Sequence, residues 1–113
     1  GITRDVIIRG RRNVPLDGGD ARRVFTVAAG VSATLYDTVI QRGFANDGGG
    51  IFSSGNLTLV RCMLRDNHAS DRGGGLFIAS GSYLLEDTDV VDNEAVADGG
   101  GLFDLSTGTA VIS

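Results

Sequence analysis

The groups in these 113 residues that could do chemistry are fourteen carboxylates, ten arginines, one histidine and one cysteine; there is no lysine. Their spacing says more than their number. Asp37, Arg61 and Asp87 are separated by 24 and 26 residues, Asp66 and Asp92 by 26, and Asp47, Asp71 and Asp98 each stand ahead of a glycine run. If the chain returns to the same place once per interval, each set becomes a column. Carboxylates gathered around an arginine can hold a divalent cation or share acid-base work. An acid-base-acid column on an outward face also relieves like-charge repulsion between stacked strands, with no chemistry at all. The second reading is taken for Asp37, Arg61 and Asp87, which stay the candidate ligand-contacting set, and no residue is assigned a catalytic role. Asp47 and Asp98 are read as turn residues that bond nearby amides, with weak calcium binding as their alternative.

The remaining reactive groups point to little. His68 occupies a repeat slot that also holds Phe44 and Glu94, which predicts a solvated turn. Cys62 aligns with Thr38 and Thr88 and is read as a small filler; one cysteine makes no internal disulfide, and no zinc set exists. No cofactor is expected. Asn56-Leu57-Thr58 matches a glycosylation acceptor, a pattern common by chance. The glycine runs are not followed by Gly-Lys-Ser/Thr, so they are not phosphate loops. Residues 1–23 hold six arginines and three aspartates, whereas residues 24–113 hold four arginines and eleven acids; the acidic body disfavours nucleic acid as a partner. Thr34 and Thr58 would stack but Leu84 follows, too short an array for ice binding.

The intervals belong to a repeat. Gly48-Gly49-Gly50, Gly73-Gly74-Gly75 and Gly99-Gly100-Gly101 recur after 25 and 26 residues, each followed by an aliphatic and a phenylalanine: Ile51-Phe52, Leu76-Phe77 and Leu102-Phe103. A lone glycine (Gly55, Gly81, Gly108), an apolar run such as "NLTLV" or "SYLLE", and a polar stretch closing on Asn67 or Asn93 complete the unit. A weaker copy spans 24–47, and residues 1–23 offer one strand and a turn of an earlier one. Period and registration together mark a repeat architecture.

The apolar runs are three to five residues long, rich in β-branched and aromatic side chains and bounded by turn formers, so they predict short strands and no helix. No apolar run approaches the ~18 residues of a membrane span. With two or three strands per unit and no helical crossover, the fold class predicted is all-β: a parallel β-helix of four to five coils, near 1–23, 24–47, 48–72, 73–98 and 99–113, forming one domain. Three inner columns are expected: Ile51, Leu76 and Leu102; Leu35, Leu59 and Leu85; Ile40, Leu64 and Val90. Glycines then recur because the chain turns sharply at the same place on each level. Asn67 and Asn93 are expected to form a ladder from the left-handed backbone region. Strict alternation points Phe52, Phe77 and Phe103 outward as an apolar stripe for a partner or a sugar. A bend at the glycines or a covering loop would instead bury them as a second core column, which is the preferred reading.

"GGGIFSSGNLTLVRCMLRDNHAS" resembles the repeats of bacterial right-handed parallel β-helix proteins of the pectin lyase-like superfamily and is similar to polymorphic outer membrane protein repeats. Their Gly-Gly-Ala/Gly-aliphatic motif is matched at Gly48–Ile51, Gly73–Leu76 and Gly99–Leu102; in their Phe-x-x-Asn motif, Leu64 and Val90 replace the phenylalanine ahead of Asn67 and Asn93. The resemblance implies a secreted or cell-surface bacterial setting and a right-handed coil. It is specific for architecture, because the fold hosts lyases, hydrolases, adhesins and stalks alike.

The functional expectation is a non-catalytic module, a stalk, adhesin-like or carbohydrate-contacting surface, that meets a polysaccharide or host-surface glycan. The alternative is a fragment of a polysaccharide lyase or glycoside hydrolase of this fold, whose relatives gather aspartates around calcium or a cleft. Neither end carries a recognisable cap or signal peptide, so neighbouring coils or chains are expected at both ends of an excerpt from a longer array.

Overall fold

A computed structural model describes residues 4–11, 14–105 and, for the backbone alone, 110–112. The lone glycine Gly108 of the last unit lies outside the described residues. The chain opens with β1 (Arg4–Arg9) and β2 (Leu16–Asp17) and continues through β3 (Phe25–Val27), β4 (Val31–Tyr36), β5 (Val39–Gln41) and β6 (Phe44–Asp47). The same set of four returns as β7 (Ile51–Ser53), β8 (Asn56–Val60), β9 (Met63–Arg65) and β10 (His68–Arg72). It returns again as β11 (Leu76–Ile78), β12 (Tyr83–Glu86), β13 (Asp89–Val91) and β14 (Glu94–Ala95), followed by β15 (Leu102–Asp104) and β16 (Ala110–Ile112).

Equivalent strands pair in parallel to give four sheets, ordered β1-β4-β8-β12-β16, β2-β5-β9-β13, β3-β7-β11-β15 and β6-β10-β14. The protein is thus an all-β parallel solenoid of about four turns, with no helix among the described residues. Each complete turn carries four strands rather than the two or three that apolar patterning predicts. The additional strand, "FAND", "HASDR" or "EA", is polar and turns little more than its alanine toward the interior, so it has no apolar signature.

The interior is built from columns along the axis. Leu35, Leu59 and Leu85 stack with Ile8 above them, and Ile40, Leu64 and Val90 stack under Leu16. Ile51, Leu76 and Leu102 continue upward to Phe25. In these columns Leu35, Leu59, Leu85, Ile40, Leu64, Ile51 and Leu76 are completely or almost completely excluded from solvent, and each such burial contributes roughly 1.5 to 3 kcal/mol. The opening segment is a unit in register: β1 pairs with β4 over its whole length.

Two corners of each of the three middle coils use the left-handed region, at residues that are not glycine. Asp37, Arg61 and Asp87 have φ of 53°, 52° and 48°, and Arg42, Asp66 and Asp92 have 55°, 54° and 52°. This corrects the expectation for the asparagines: the residue just before Asn67 or Asn93 adopts positive φ, and the asparagine itself turns inward. In the glycine triplets the labour is divided. Gly48, Gly73 and Gly99 have φ near 67°, 67° and 65°. Gly49 needs only room: a Cβ there would lie 2.2 Å from the His68 carbonyl oxygen and 2.8 Å from that of Gly74.

Candidate functional site

At the first corner, Arg61 meets Asp37 through two hydrogen bonds, Nε to Oδ1 at 2.8 Å and Nη2 to Oδ2 at 3.2 Å. These bonds, then the Asp37 charge, hold the guanidinium protonated more firmly than usual; Asp87 and Glu86 add smaller effects through charge. Both partners of the close pair are about half exposed, so the pair belongs to a solvated outer face. Asp37, Arg61 and Asp87 therefore share one corner, with Asp37 and Arg61 joined directly and Asp87 acting across a longer distance.

A second outer network joins the first three coils. The Gln41 amide donates to Asp17 Oδ2 at 3.0 Å, and Arg65 donates to Gln41 Oε1 at 2.9 and 3.0 Å. Arg42 bridges Asp17 at 3.3 Å and Asp20 at 3.2 Å. The Gln41 bond, followed by the Gly19 amide, lowers the Asp17 pKa; the Asp20 hydrogen bond, followed by the Asp17 and Asp20 charges, raises that of Arg42. These residues escaped the sequence reading, although the interval from Asp17 to Gln41 to Arg65 repeats the coil length.

Ahead of the glycine triplets the expected aspartate column is broken. A register shift between Ala69 and Arg72 puts Arg72, not Asp71, opposite Asp47, and on its other side the Arg72 backbone pairs with that of Asp98. The column is again mixed in charge. Arg72 Nε lies 3.5 Å from Asp47 Oδ1, and both atoms are buried without a hydrogen bond. Asp71 stays exposed beside it, its Oδ2 at 3.7 Å from Arg72 Nε.

The phenylalanines combine both sequence readings. Phe52, Phe77 and Phe103 alternate out of the main core and stack on one another, with ring centroids 5.2 and 5.5 Å apart. They are nevertheless covered. Gly48, Gly73 and Gly99 turn the chain tightly beside them, with the Cα of Phe52 and the Cβ atoms of Phe77 and Phe103 close to where a glycine side chain would stand. Arg23 lies over Phe52 at 4.9 Å, and Arg72 lies over Phe77 at 5.2 Å and Phe103 at 5.0 Å. Arg23 is held there by hydrogen bonds to the carbonyls of Asp47 at 2.6 Å and Gly48 at 3.0 Å. The result is a separate outer column beneath an arginine lid, with Phe77 almost wholly buried and its neighbours half-buried.

His68 is a strand residue rather than part of a turn. Its ring stacks on Phe44 at 5.3 Å, and Nδ1 lies 3.6 Å from Glu94 Oε2. Cys62 is buried, with Sγ 3.3 Å from the Leu35 carbonyl oxygen and 3.4 Å from that of Val60. Inside, the Asn67 amide donates to Asn93 Oδ1 at 2.9 Å and to the Ile40 carbonyl at 3.1 Å, and Asn93 donates to Leu64 at 2.9 Å. Among the described residues no cluster of His, Cys, Asp or Glu is arranged to hold a metal ion, and no helix is long and apolar enough to cross a membrane. No protein-family model, curated protein or solved structure matches the chain.

Proposed function

We propose that this chain is a non-catalytic β-helix module of a secreted or cell-surface bacterial protein, a stalk or adhesin-like surface that contacts polysaccharide along its outward columns. The observation that carries this reading is the Arg61–Asp37 pair. Arginine can serve as a base only after losing a proton, and the bidentate carboxylate works against that loss. The acid and base of the column thus satisfy one another, as in a ladder that neutralises stacked strands. The likeness of the glycine-aliphatic repeats to polymorphic outer membrane protein repeats and pectin lyase-like β-helices supports the surface setting.

A glycan array probed with and without calcium, run beside a polygalacturonate cleavage assay, tests the proposal. Binding without turnover is expected, insensitive to calcium and to Arg61→Ala. Turnover that disappears in folded Arg61→Ala or Asp87→Ala protein would replace this reading with a lyase or hydrolase one.

A further inference from the structure

Three of the four sheets face outward with charge or with covered rings. Arg65 and Asp89 stand on β9 and β13, His68 and Glu94 on β10 and β14, and the stacked phenylalanines of β7, β11 and β15 lie beneath Arg23 and Arg72. The face of β4, β8 and β12 differs. Alternate residues, Leu35, Leu59 and Leu85 among them, fill the core. The residues between them form two outer columns in register, Ser32-Asn56-Ser82 and Thr34-Thr58-Leu84. None of the six ionises. Asn56 is exposed and the other five are half-buried. The first column is wired along the axis: the Asn56 amide donates to Ser32 Oγ at 3.3 Å, and Asn56 Oδ1 accepts from the Ser82 hydroxyl at 2.9 Å. Tyr36 borders the strip on one side, with the Arg9 guanidinium over its ring at 4.7 Å. β4 and β12 are themselves paired on their far sides, to β1 and β16, so the strip is a lateral face and not an end.

We infer that this strip binds an uncharged, extended polysaccharide running along the solenoid axis, one sugar ring per coil. The inference rests on the proposed glycan-contacting role and names its site and the class of glycan. Charge argues for the occupant first. The chain carries a formal net charge of −4, and Glu86 and Asp87 are exposed just beyond the strip, so uronate or sulfated chains are repelled where neutral ones are not. Chemistry argues next. Serine and threonine hydroxyls and the asparagine amide both donate and accept, as sugar hydroxyls do. The threonine methyls and Leu84, about 6.7 Å along the strands from the polar column, offer an apolar track to the C–H side of the rings. The Ser32-Asn56-Ser82 bonds hold that polar column in place before a ligand arrives, which lowers the ordering cost of binding. Repeat length argues last. Stacked strands rise ~4.8 Å per coil, close to the length of one ring in an equatorially linked chain. A short oligosaccharide therefore meets equivalent groups on successive coils.

The test is an NMR titration of the whole chain with β-1,4-linked glucose, mannose and xylose oligosaccharides of increasing length, beside oligogalacturonates. A neutral series should shift the backbone amides of Asn56, Thr58 and Ser82. Its affinity should rise with each added ring until the strip's three coils are spanned and then level off. The double variant Asn56→Ala, Thr58→Val should weaken binding about tenfold or more, the worth of a lost hydrogen bond or two, whereas Arg65→Ala on another face should not. Preference for oligogalacturonates, shifts confined to other faces, or undiminished binding by the folded double variant overturns the strip while leaving a glycan-contacting role on other columns intact. Failure of every glycan, here and on the array, overturns both. If the double variant's circular dichroism spectrum changes, Ser82→Ala takes its place, with the same loss of affinity expected and undiminished binding again decisive against the strip.

Discussion

Asn67 and Asn93 are joined twice over: Asn93 Oδ1 accepts from the Asn67 side-chain amide at 2.9 Å and from its backbone amide at 3.0 Å. Asn67 Oδ1 in turn accepts from the Gly43 backbone amide at 2.9 Å. Each asparagine thus closes the polar groups of a corner that faces the core. Asn67→Ala should cost about 2 to 3 kcal/mol, because it strands the Ile40 carbonyl and the Gly43 amide in a buried place. Asn93→Ala, at a more open level, should cost about 1 to 2 kcal/mol. Urea unfolding checks both, and equal stability of either variant with wild type would remove the ladder's energetic role.

The parts of this architecture that were readable in the sequence are those written in apolar side chains. Leu35, Leu59 and Leu85 align by repeat, and alignment is stacking once the coil closes. The parts that were not readable depend on backbone geometry or on register. Asp66 and Arg61 do not announce a left-handed backbone as glycine does, although aspartate tolerates that region better than most residues. The bulge before Arg72 exchanged an arginine for Asp71 in the glycine-side column, and no residue type marks a one-residue shift. The arginine lid over the phenylalanines joins side chains that meet only after the glycine turn has folded over.

Ser53 is completely buried between Val27 and Ile78, and its hydroxyl has no hydrogen-bond partner. Removing an unsatisfied buried hydroxyl restores its desolvation cost. Ser53→Ala should therefore raise stability by about 1 kcal/mol, seen as a higher urea midpoint with an unchanged slope.

Gly49 and Gly19 separate two roles of glycine. Gly49 lacks positive φ but has no room for a Cβ, whereas Gly19 has φ of 64° and nothing within 4 Å of where a Cβ would stand. Gly49→Ala should cost about 3 kcal/mol or more, because backbone atoms of two coils must separate. Gly19→Ala should cost only about 1 kcal/mol, the conformational penalty. Paired thermal melts compare them directly.

Stability should fall at both extremes of pH. Burial, then the charge of Asp104 and a hydrogen bond with it, raises the Tyr83 pKa above 10.0. The folded state therefore favours the neutral phenol; that contribution is complete below pH 10 and is lost as pH rises through the folded value. Asp17 is shifted the other way, below 3.8, first by the Gln41 hydrogen bond. Its contribution is present above that pH and disappears as pH falls through the lowered value. Thermal midpoints measured from pH 2 to about 11 should show both declines, with Tyr83→Phe flattening the alkaline limb and Asp17→Asn the acid one.

The central claim is that residues one coil apart stand side by side, so that the repeated residue types form continuous columns. Nuclear Overhauser contacts between the phenylalanine rings test it most directly. Phe52 should show contacts to Phe77, and Phe77 to Phe103, while Phe52 and Phe103 show none because a full coil separates them. Contacts between Phe52 and Phe103, or no contact from Phe77 to either neighbour, would contradict the stacked solenoid.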